Sequence, residues 1–110
     1  MHEIYVIHNV WNGKRYVGHA PDLETRWLLH LAAADAAYTT TRRIASPLQR
    51  ALLEDGPNAF CREVVARAPE AEAATECARL AAIDRAAGTG YNLPDGAETE
   101  WIENVETRGL

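Results

Sequence analysis

The chain has little cysteine and no long hydrophobic run. Its 110 residues include two cysteines, Cys61 and Cys77, which lack the Cys-X-X-Cys spacing of many metal and redox sites. No apolar run approaches the roughly 20 residues that a membrane-spanning helix needs. The N-terminal Met-His-Glu leads directly into a strand pattern, which is not the pattern of a signal peptide. We therefore expect free thiols, a reducing cytoplasm and no membrane partner.

Positive charge is scarce in the second half of the chain. The net charge is −5, with +2 over residues 1–50 and −7 over residues 51–110. The segment 94–110 alone carries −4, which leaves residues 1–93 near neutral. This balance lacks the long-range field of a tight, stand-alone DNA binder, although it is compatible with a local basic cleft. We predict one domain over residues 1–93 and an acidic C-terminal tail over residues 94–110.

The first thirty residues carry the strongest local signal, which predicts a β-hairpin. Two β-like runs, residues 4–10 and 14–19, flank Asn12-Gly13. An Asn-Gly pair adopts the positive φ of a two-residue hairpin turn at little cost. The first run is apolar on nearly both faces, which is typical of an inner strand that is covered on both sides.

The hairpin is expected to place two tyrosines on one face. A two-residue turn pairs Ile7 with Gly18. Because side chains alternate along a strand, Tyr5 then shares its face with Tyr16 and Gly18. Gly18 would leave a bare patch of backbone for a ligand to approach. In this register Tyr5 lies several residues along from Tyr16, and a wider loop or a bulge would bring them closer.

A helix is predicted after the hairpin. Asp22 is a good N-cap, and the helix runs to about Ala37. Arg26 and His30 lie four residues apart and so share one helix face. The apolar stripe that marks the core side of this helix consists of Leu23, Trp27, Leu31 and Ala34.

Three more elements are predicted further along the chain. A second helix is expected over residues 47–54, a third strand over residues 60–66 and a long third helix over residues 70–87. On that third helix Glu76 lies four residues before Leu80, so its carboxylate borders the apolar side.

Several segments resemble, in order and spacing, the GIY-YIG nuclease domain. The segments IYVIHN, NGKRYVG and RWLLH resemble its opening, and SPLQRALLEDGPNAF resembles its second helix and the turn that follows. EAEAATECARL and GYNL resemble its carboxylate helix and closing asparagine segment, so the likeness covers roughly residues 3–93. It implies an α+β fold, a small three-stranded antiparallel sheet flanked by three helices. It also implies a freestanding, homing-endonuclease-like enzyme that hydrolyses DNA with one divalent metal, Mg²⁺ or Mn²⁺, in a bacterial or phage-infected cell.

The resemblance also implies site residues, matched one by one. The implied catalytic residues are Tyr5, Tyr16, Arg26, His30, Glu76 and Asn92. The implied substrate-binding residues are Lys14, Arg15, Gly18, Arg42 and Arg43. Glu76 is the implied metal ligand, and the oligomeric state stays open, with a monomer as one possibility.

These residue types suit phosphodiester hydrolysis, which needs an activated water and charge neutralisation at the phosphate. Arg26 offers a permanently charged fork for phosphate oxygens. Glu76 can hold Mg²⁺ while water molecules fill the other coordination positions. Tyr5 can serve as general base only if its pKa falls well below about 10, which a nearby cation favours. Tyr16 or His30 would relay the proton or orient the water.

Each assignment has a structural alternative. Strand tyrosines commonly pack in the core, and an isolated helix arginine is commonly a solvated charge. Glu76 lies one turn before Arg79 and is equally placed to be its ion-pair partner. Gly18 and Asn92 are open to purely structural roles. His8 and His19 share a strand face, but they lack the neighbouring ligands that would predict a zinc site.

The chain also departs from the family pattern. Glu3 stands where the first motif has glycine, which would put a negative charge near the substrate, and His19 follows Gly18 where a small hydroxyl residue is common nearby. The departures leave a second function open, a catalytically weak or inactive binding module with the same fold. The acidic tail is open to a role as an electrostatic gate over the cleft.

Overall fold

The computed structural model describes residues 1–40 and 47–92. The predicted Arg42, Arg43 and the tail over residues 94–110 lie outside this range. The elements are β1 His2–Asn9, β2 Arg15–Ala20, α1 Leu23–Thr40, α2 Pro47–Asp55, a 3₁₀ turn Pro57–Ala59, β3 Phe60–Ala68 and α3 Glu70–Ala87. Each helix and strand lies within three residues of its predicted bounds. In the described part of the chain, no helix has both the length and the apolar character needed to cross a membrane.

One antiparallel sheet organises the fold, with strand order β2-β1-β3. The inner position predicted for β1 is therefore confirmed. The sheet is flanked by α1, α2 and α3, which confirms the predicted α+β class. Among the described strands, β2 and β3 each pair with β1 and not with each other. One edge of β2 therefore lies at the outside of the sheet.

The hairpin register differs by two residues from the prediction. Tyr5 pairs with Gly18 and Ile7 pairs with Tyr16. The reason is a four-residue loop. The Asn9 N–H donates to the Lys14 carbonyl at 2.9 Å, and the Gly13 N–H donates to the Asn9 carbonyl at 2.8 Å. Because a shift by two residues preserves the faces of both strands, the predicted shared face of the tyrosines survives.

The two faces of the sheet carry different cores. The tyrosine face, which carries Tyr5, Ile7, Tyr16 and Gly18, packs against α1 and α2. The aliphatic face, which carries Ile4, Val6 and Val17, packs against α3. On α3 the contacts come from small buried side chains, Ala73 and Cys77.

Glu3 has a structural role at the start of α1. Its Oε1 accepts a hydrogen bond from the Leu23 N–H at 2.8 Å, and its Oε2 lies 3.0 Å from Arg67 Nη2. The first N–H groups of a helix need such acceptors. Asp22 acts as the predicted N-cap, with its Oδ2 2.9 Å from the Thr25 N–H. The negative charge expected of Glu3 is therefore engaged by the start of α1 and by Arg67, and its effect on a substrate stays a prediction.

Candidate active site

Three buried rings meet on the tyrosine face. The Tyr5 hydroxyl lies 2.9 Å from His30 Nε2. The Tyr16 ring packs edge-on against His30, with 5.0 Å between centroids, and lies 6.3 Å from the Tyr5 ring. The exposed fractions are 2% for Tyr5, 3% for Tyr16 and 1% for His30. A buried hydroxyl with a fixed partner has one orientation, so this cluster holds the Tyr5 oxygen in place.

Gly18 makes room for this cluster. A Cβ atom at this position would lie 2.5 Å from Cζ and Oη of Tyr5 and 3.0 Å from Cε1 of Tyr16. Real Cβ atoms do not approach other atoms that closely. The bare patch of backbone exists, but the Tyr5 ring fills it, so the predicted room for a ligand over Gly18 is wrong. The residue acts by seating the tyrosine.

His30 stays neutral in the folded protein. Burial, and next the charge of Arg26, lower its pKa to about 3. A group with such a pKa cannot hold a proton for long near neutral pH. Of the two roles predicted for His30, relaying a proton and orienting its neighbour, the geometry favours orienting the Tyr5 hydroxyl.

Arg26 is a half-buried cation that pairs with no described carboxylate. It lies on α1 one turn before His30, and no described residue forms a hydrogen bond or salt bridge with its guanidinium. Leaving a guanidinium partly buried and unpaired is unfavourable unless an anion binds there. The arginines that do pair with carboxylates in the described chain are Arg15, Arg62, Arg67 and Arg79.

The charge of Arg26 acts on both sides of the sheet. It lowers the pKa of His30, on the tyrosine face, after burial. It also lowers the pKa of His19, after burial and His2, while Glu70 opposes it. His19 projects to the aliphatic face, because it pairs with Ile4. The charge of Arg26 therefore acts on one ring on each face of the sheet.

Asn92 closes part of that edge. Its Oδ1 accepts from the Val17 N–H at 2.9 Å, and its Nδ2 donates to the Val17 carbonyl at 2.8 Å. Just before it, Thr89 and Tyr91 bond to the backbone of Arg15 at 2.8 and 2.7 Å. The amide thus imitates the backbone of a neighbouring strand. These contacts favour the structural alternative for Asn92 over direct participation in the chemistry.

Glu76 lies on α3, which packs on the aliphatic face. Its carboxylate accepts hydrogen bonds from Arg79, through Nε at 3.1 Å and through Nη2. The hydrogen bond from Arg79 also lowers the pKa of Glu76, so the carboxylate is ionised at neutral pH. Its side chain is 38% exposed, and the structure does not bring it into hydrogen-bond contact with the tyrosine cluster.

The donor chemistry at Glu76 fits a hydrated magnesium ion. In residues 1–40 and 47–92, no group of three or more His, Cys, Asp or Glu side chains is arranged to hold a metal. A single ionised and accessible carboxylate suits a cation that keeps most of its water ligands, such as Mg²⁺. It does not suit Zn²⁺, which takes three or four protein ligands. The bond to Arg79 must open for a cation to bind at Glu76.

The predicted substrate-binding residues of the hairpin differ in availability. Lys14 is exposed at the loop. Arg15 forms two hydrogen bonds of 3.2 Å with the buried carboxylate of Asp84. That pair ties β2 to the end of α3, and a substrate-binding role of Arg15 stays a prediction.

Several connecting residues were not predicted from the sequence. The buried Asn9 donates through Nδ2 to Asp55 at 2.8 Å and to the Tyr91 hydroxyl at 3.2 Å. His2 and His19 meet through their Nδ1 atoms at 2.9 Å. The register of the hairpin could have predicted the contact between His2 and His19, because the two are diagonal neighbours only when the loop has four residues.

Comparisons with known proteins agree on one family. A model described as the GIY-YIG catalytic domain matches residues 1–78. The catalytic domain of the homing endonuclease I-TevI is 25% identical, with a TM-score of 0.67, and covers 84% of this chain and 98% of its own. A glutamate-to-alanine mutant of the catalytic domain of intron endonuclease I-TevI is 27% identical, with the same TM-score and 84% and 93% coverage. Among curated proteins no match is found.

Proposed function

The chain belongs to the GIY-YIG catalytic domain family, and from this premise we propose that it is a divalent-metal-dependent endonuclease that hydrolyses DNA phosphodiester bonds. One observation carries the proposal. Arg26 is a half-buried cation with no carboxylate partner among the described residues, and it stands one helical turn from His30 in the cluster that holds Tyr5 and Tyr16. A nuclease site needs this combination of an anion-binding group and a fixed oxygen or nitrogen atom beside it.

Arg26 would bind the scissile phosphate. Its planar guanidinium keeps its charge at any physiological pH and can donate to two phosphate oxygens at once. Such a contact neutralises charge that grows on the phosphate as the nucleophile attacks. Removing a comparable donor from other enzymes lowers the rate by roughly 10²–10³-fold.

The Tyr5 hydroxyl would orient or deprotonate the attacking water. Its bond to His30 fixes the direction of the oxygen lone pairs, and Tyr16 closes the other side of the imidazole. Because His30 remains neutral, it can hold Tyr5 without adding a positive charge to the site. Proton removal by Tyr5 needs a lowered phenol pKa, which a nearby cation such as Arg26 favours.

Glu76 would hold the divalent cation. A bound Mg²⁺ or Mn²⁺ would supply charge stabilisation for the phosphate and the leaving oxygen. In the free protein Arg79 occupies the carboxylate, and an exposed pair of this kind is readily opened. Glu76 is thus kept ionised for a cation and is not bound irreversibly to its helix neighbour.

A plasmid-nicking assay with Mg²⁺ tests the proposal. We expect nicking by the native protein and a loss of roughly a hundredfold or more in Arg26→Ala and in Glu76→Ala. Arg50→Ala and Glu72→Ala are matched controls, since each removes the same charge from an exposed helix position. Cleavage that survives both test substitutions would defeat the assignment of these residues.

A binding module without catalysis is the second candidate, and the ion pair between Glu76 and Arg79 favours it. In that case the pair is permanent, and no cation binds at this carboxylate. Calorimetric titration with Mn²⁺ distinguishes the two candidates. The nuclease binds Mn²⁺ in a manner that Glu76→Ala abolishes, whereas the binding module shows no such difference and keeps its function in Tyr5→Phe.

A further inference from the structure

Two histidines meet beside the candidate site but outside the tyrosine cluster. His2 begins β1, and His19 follows Gly18 on β2. Their Nδ1 atoms lie 2.9 Å apart, and their ring centroids lie 5.1 Å apart with planes tilted by 37°. Both side chains are partly exposed. Each ring therefore uses Nδ1 within the pair and keeps Nε2 for other contacts.

The contact between the two Nδ1 atoms determines how the pair responds to a proton. A hydrogen bond between ring nitrogens contains one hydrogen, so in the neutral pair one ring is protonated on Nδ1 and the other on Nε2. The two Nε2 atoms are then one acceptor and one donor. One added proton binds the accepting Nε2, keeps the internal bond and makes both Nε2 atoms donors. The singly protonated pair has one positive charge and an N–H group on each Nε2, and either N–H group can donate to a phosphate oxygen.

The pair stands at a part of the β2 edge that no described residue covers. Residues 89–92 bond to the outward backbone groups of Arg15 and Val17. Outward groups recur at every second residue, so the next are those of His19. No described residue bonds to them. This edge therefore presents a peptide N–H and an imidazole pair, and Arg26 lies close enough for its charge to act on His19.

The surroundings of His19 disfavour its protonated form. Burial and His2 lower the pKa of His19, Glu70 raises it, and Arg26 lowers it further. A bound phosphate adds negative charge, which favours the protonated pair, so phosphate and proton assist each other. The charged groups on the surrounding elements are the α-amino group of Met1, Arg26 on α1, Glu70 on α3 and the ion pair of Glu3 with Arg67.

We propose that His2 and His19 form a second phosphate-binding subsite, which takes up a proton when a backbone phosphate of DNA binds. The inference rests on the proposed nuclease function, because the ligand is the backbone of the same DNA. The subsite lies at the edge of β2, on the aliphatic face. It positions a phosphate neighbouring the scissile one and takes no part in bond cleavage.

Proton-linked DNA binding tests the subsite. The affinity for a short fluorescein-labelled duplex is measured by anisotropy in EDTA, so that no cleavage occurs, from about pH 5.5 to about pH 8.5. We expect the affinity of the native protein to fall with rising pH, by up to roughly tenfold per unit, and calorimetry in several buffers to show uptake of up to one proton. His19→Gln keeps an amide for His2 but cannot take up the proton. It should bind several-fold more weakly at the acidic end and lose most of the pH dependence.

His8→Gln is the matched control. His8 also lies half-buried on β1, but it pairs with Arg15, four residues along β2 from His19 and roughly 13 Å away. It should keep the native pH dependence. NMR titration of the native histidine rings gives a second readout that does not depend on a folded variant. The pKa of His19 should rise when the duplex is added.

The outcomes separate the two proposals. DNA that is bound and nicked by the native protein, with no proton uptake and an unchanged pKa of His19, would overturn the subsite alone. A pH dependence that His19→Gln retains in full would do the same. A native protein that binds no DNA at any pH and nicks none with Mg²⁺ would overturn the nuclease proposal, and the subsite with it.

Discussion

The two faces of the sheet bury their side chains in different ways. The tyrosine face encloses polar groups: the Tyr5 hydroxyl and the His30 imidazole bond to each other with almost no exposure to water. The aliphatic face is closed by Ile4, Val6 and Val17 against small residues of α3. Its acid, Glu76, stays at the solvent-exposed flank of the helix.

The difference separates the atoms that are held in one arrangement from the carboxylate that can exchange partners. A buried polar pair loses stability if either member moves, so the tyrosine face holds its atoms in one arrangement. A surface carboxylate paired with Arg79 can exchange partners at little cost. In the proposed nuclease, the group that must stay fixed is in the core, and the group that would accept a hydrated cation is outside it. The predictions below test this division.

The largest effect is expected on the free energy of unfolding when the pH is lowered. The folded pKa of His30 is about 3, below its ordinary value of 6.5. Between these values the unfolded chain binds more protons, so stability is complete above pH 6.5 and falls as the pH decreases towards 3. One such group contributes about 1.4 kcal/mol per pH unit within this window. Urea unfolding at pH 7, 6 and 5 measures the slope.

His30→Gln should reduce that slope by the contribution of one proton. The aliphatic face should add to the slope through His19, whose pKa burial also lowers, whereas its buried thiol, Cys77, remains neutral at these pH values. Parallel curves for the native protein and His30→Gln would show that the imidazole is not buried in its neutral form.

A methyl group at Gly18 should be the next largest disturbance. The added Cβ lies 2.5 Å from the Tyr5 ring, which must move and pull its hydroxyl away from His30. Overpacking of this kind costs about 1–3 kcal/mol. We expect a matching fall in the free energy of unfolding for Gly18→Ala, measured in urea, and a loss of nicking even where the variant is folded.

Gly13→Ala separates crowding from backbone strain. Gly13 has a φ of 75° but open space around the position of a Cβ. The Gly13→Ala variant should lose about 1 kcal/mol of unfolding free energy through backbone strain alone and should keep the nuclease activity. If the two variants behaved alike in both assays, the close fit of Tyr5 over Gly18 would not matter for function.

The sequence predicted the architecture but not the details that join its parts. The order of elements and the shared face of Tyr5 and Tyr16 follow from alternation and from helix signals, which are local. The register does not, because it depends on a four-residue loop that Asn12 stabilises by accepting the Lys14 N–H, a choice that Asn-Gly does not reveal. The bond between Arg15 and Asp84 joins residues distant in the chain, so no local pattern announces it.

The same limit applies to the candidate site. Arg26 and His30 were predicted on one helix face because i and i+4 positions are adjacent. The complete burial of His30, and the lack of a described carboxylate partner for Arg26, depend on how α1 packs against the sheet. Asn92 was left open between two roles, and only the position of residues 89–92 along β2 favours the structural one.

A smaller effect is expected on cation binding at Glu76 of α3. In Arg79→Ala the carboxylate of Glu76 loses the partner that lowers its pKa and becomes free for a cation. We expect several-fold tighter binding of Mn²⁺, followed by calorimetry, and little change in unfolding. Arg85→Ala removes the same charge from the last turn of α3 and should not alter the affinity. Equal affinities in all three proteins would mean that Arg79 does not compete with the metal.

The smallest effect is expected in the reactivity of the two thiols, which reports how tightly α3 covers the aliphatic face. The labelling should leave stability unchanged. Cys61 is exposed on β3, whereas Cys77 is buried, and its pKa is raised to about 11 by burial and by the charge of Glu76. Only the thiolate reacts with a maleimide, so at pH 8 Cys77 should react roughly 10²–10³-fold more slowly than an ordinary thiol. Mass spectrometry should show one adduct on the folded protein and two in urea. Equal labelling of both thiols would mean that α3 opens freely, and then mobility would not be confined to the flank that carries Glu76.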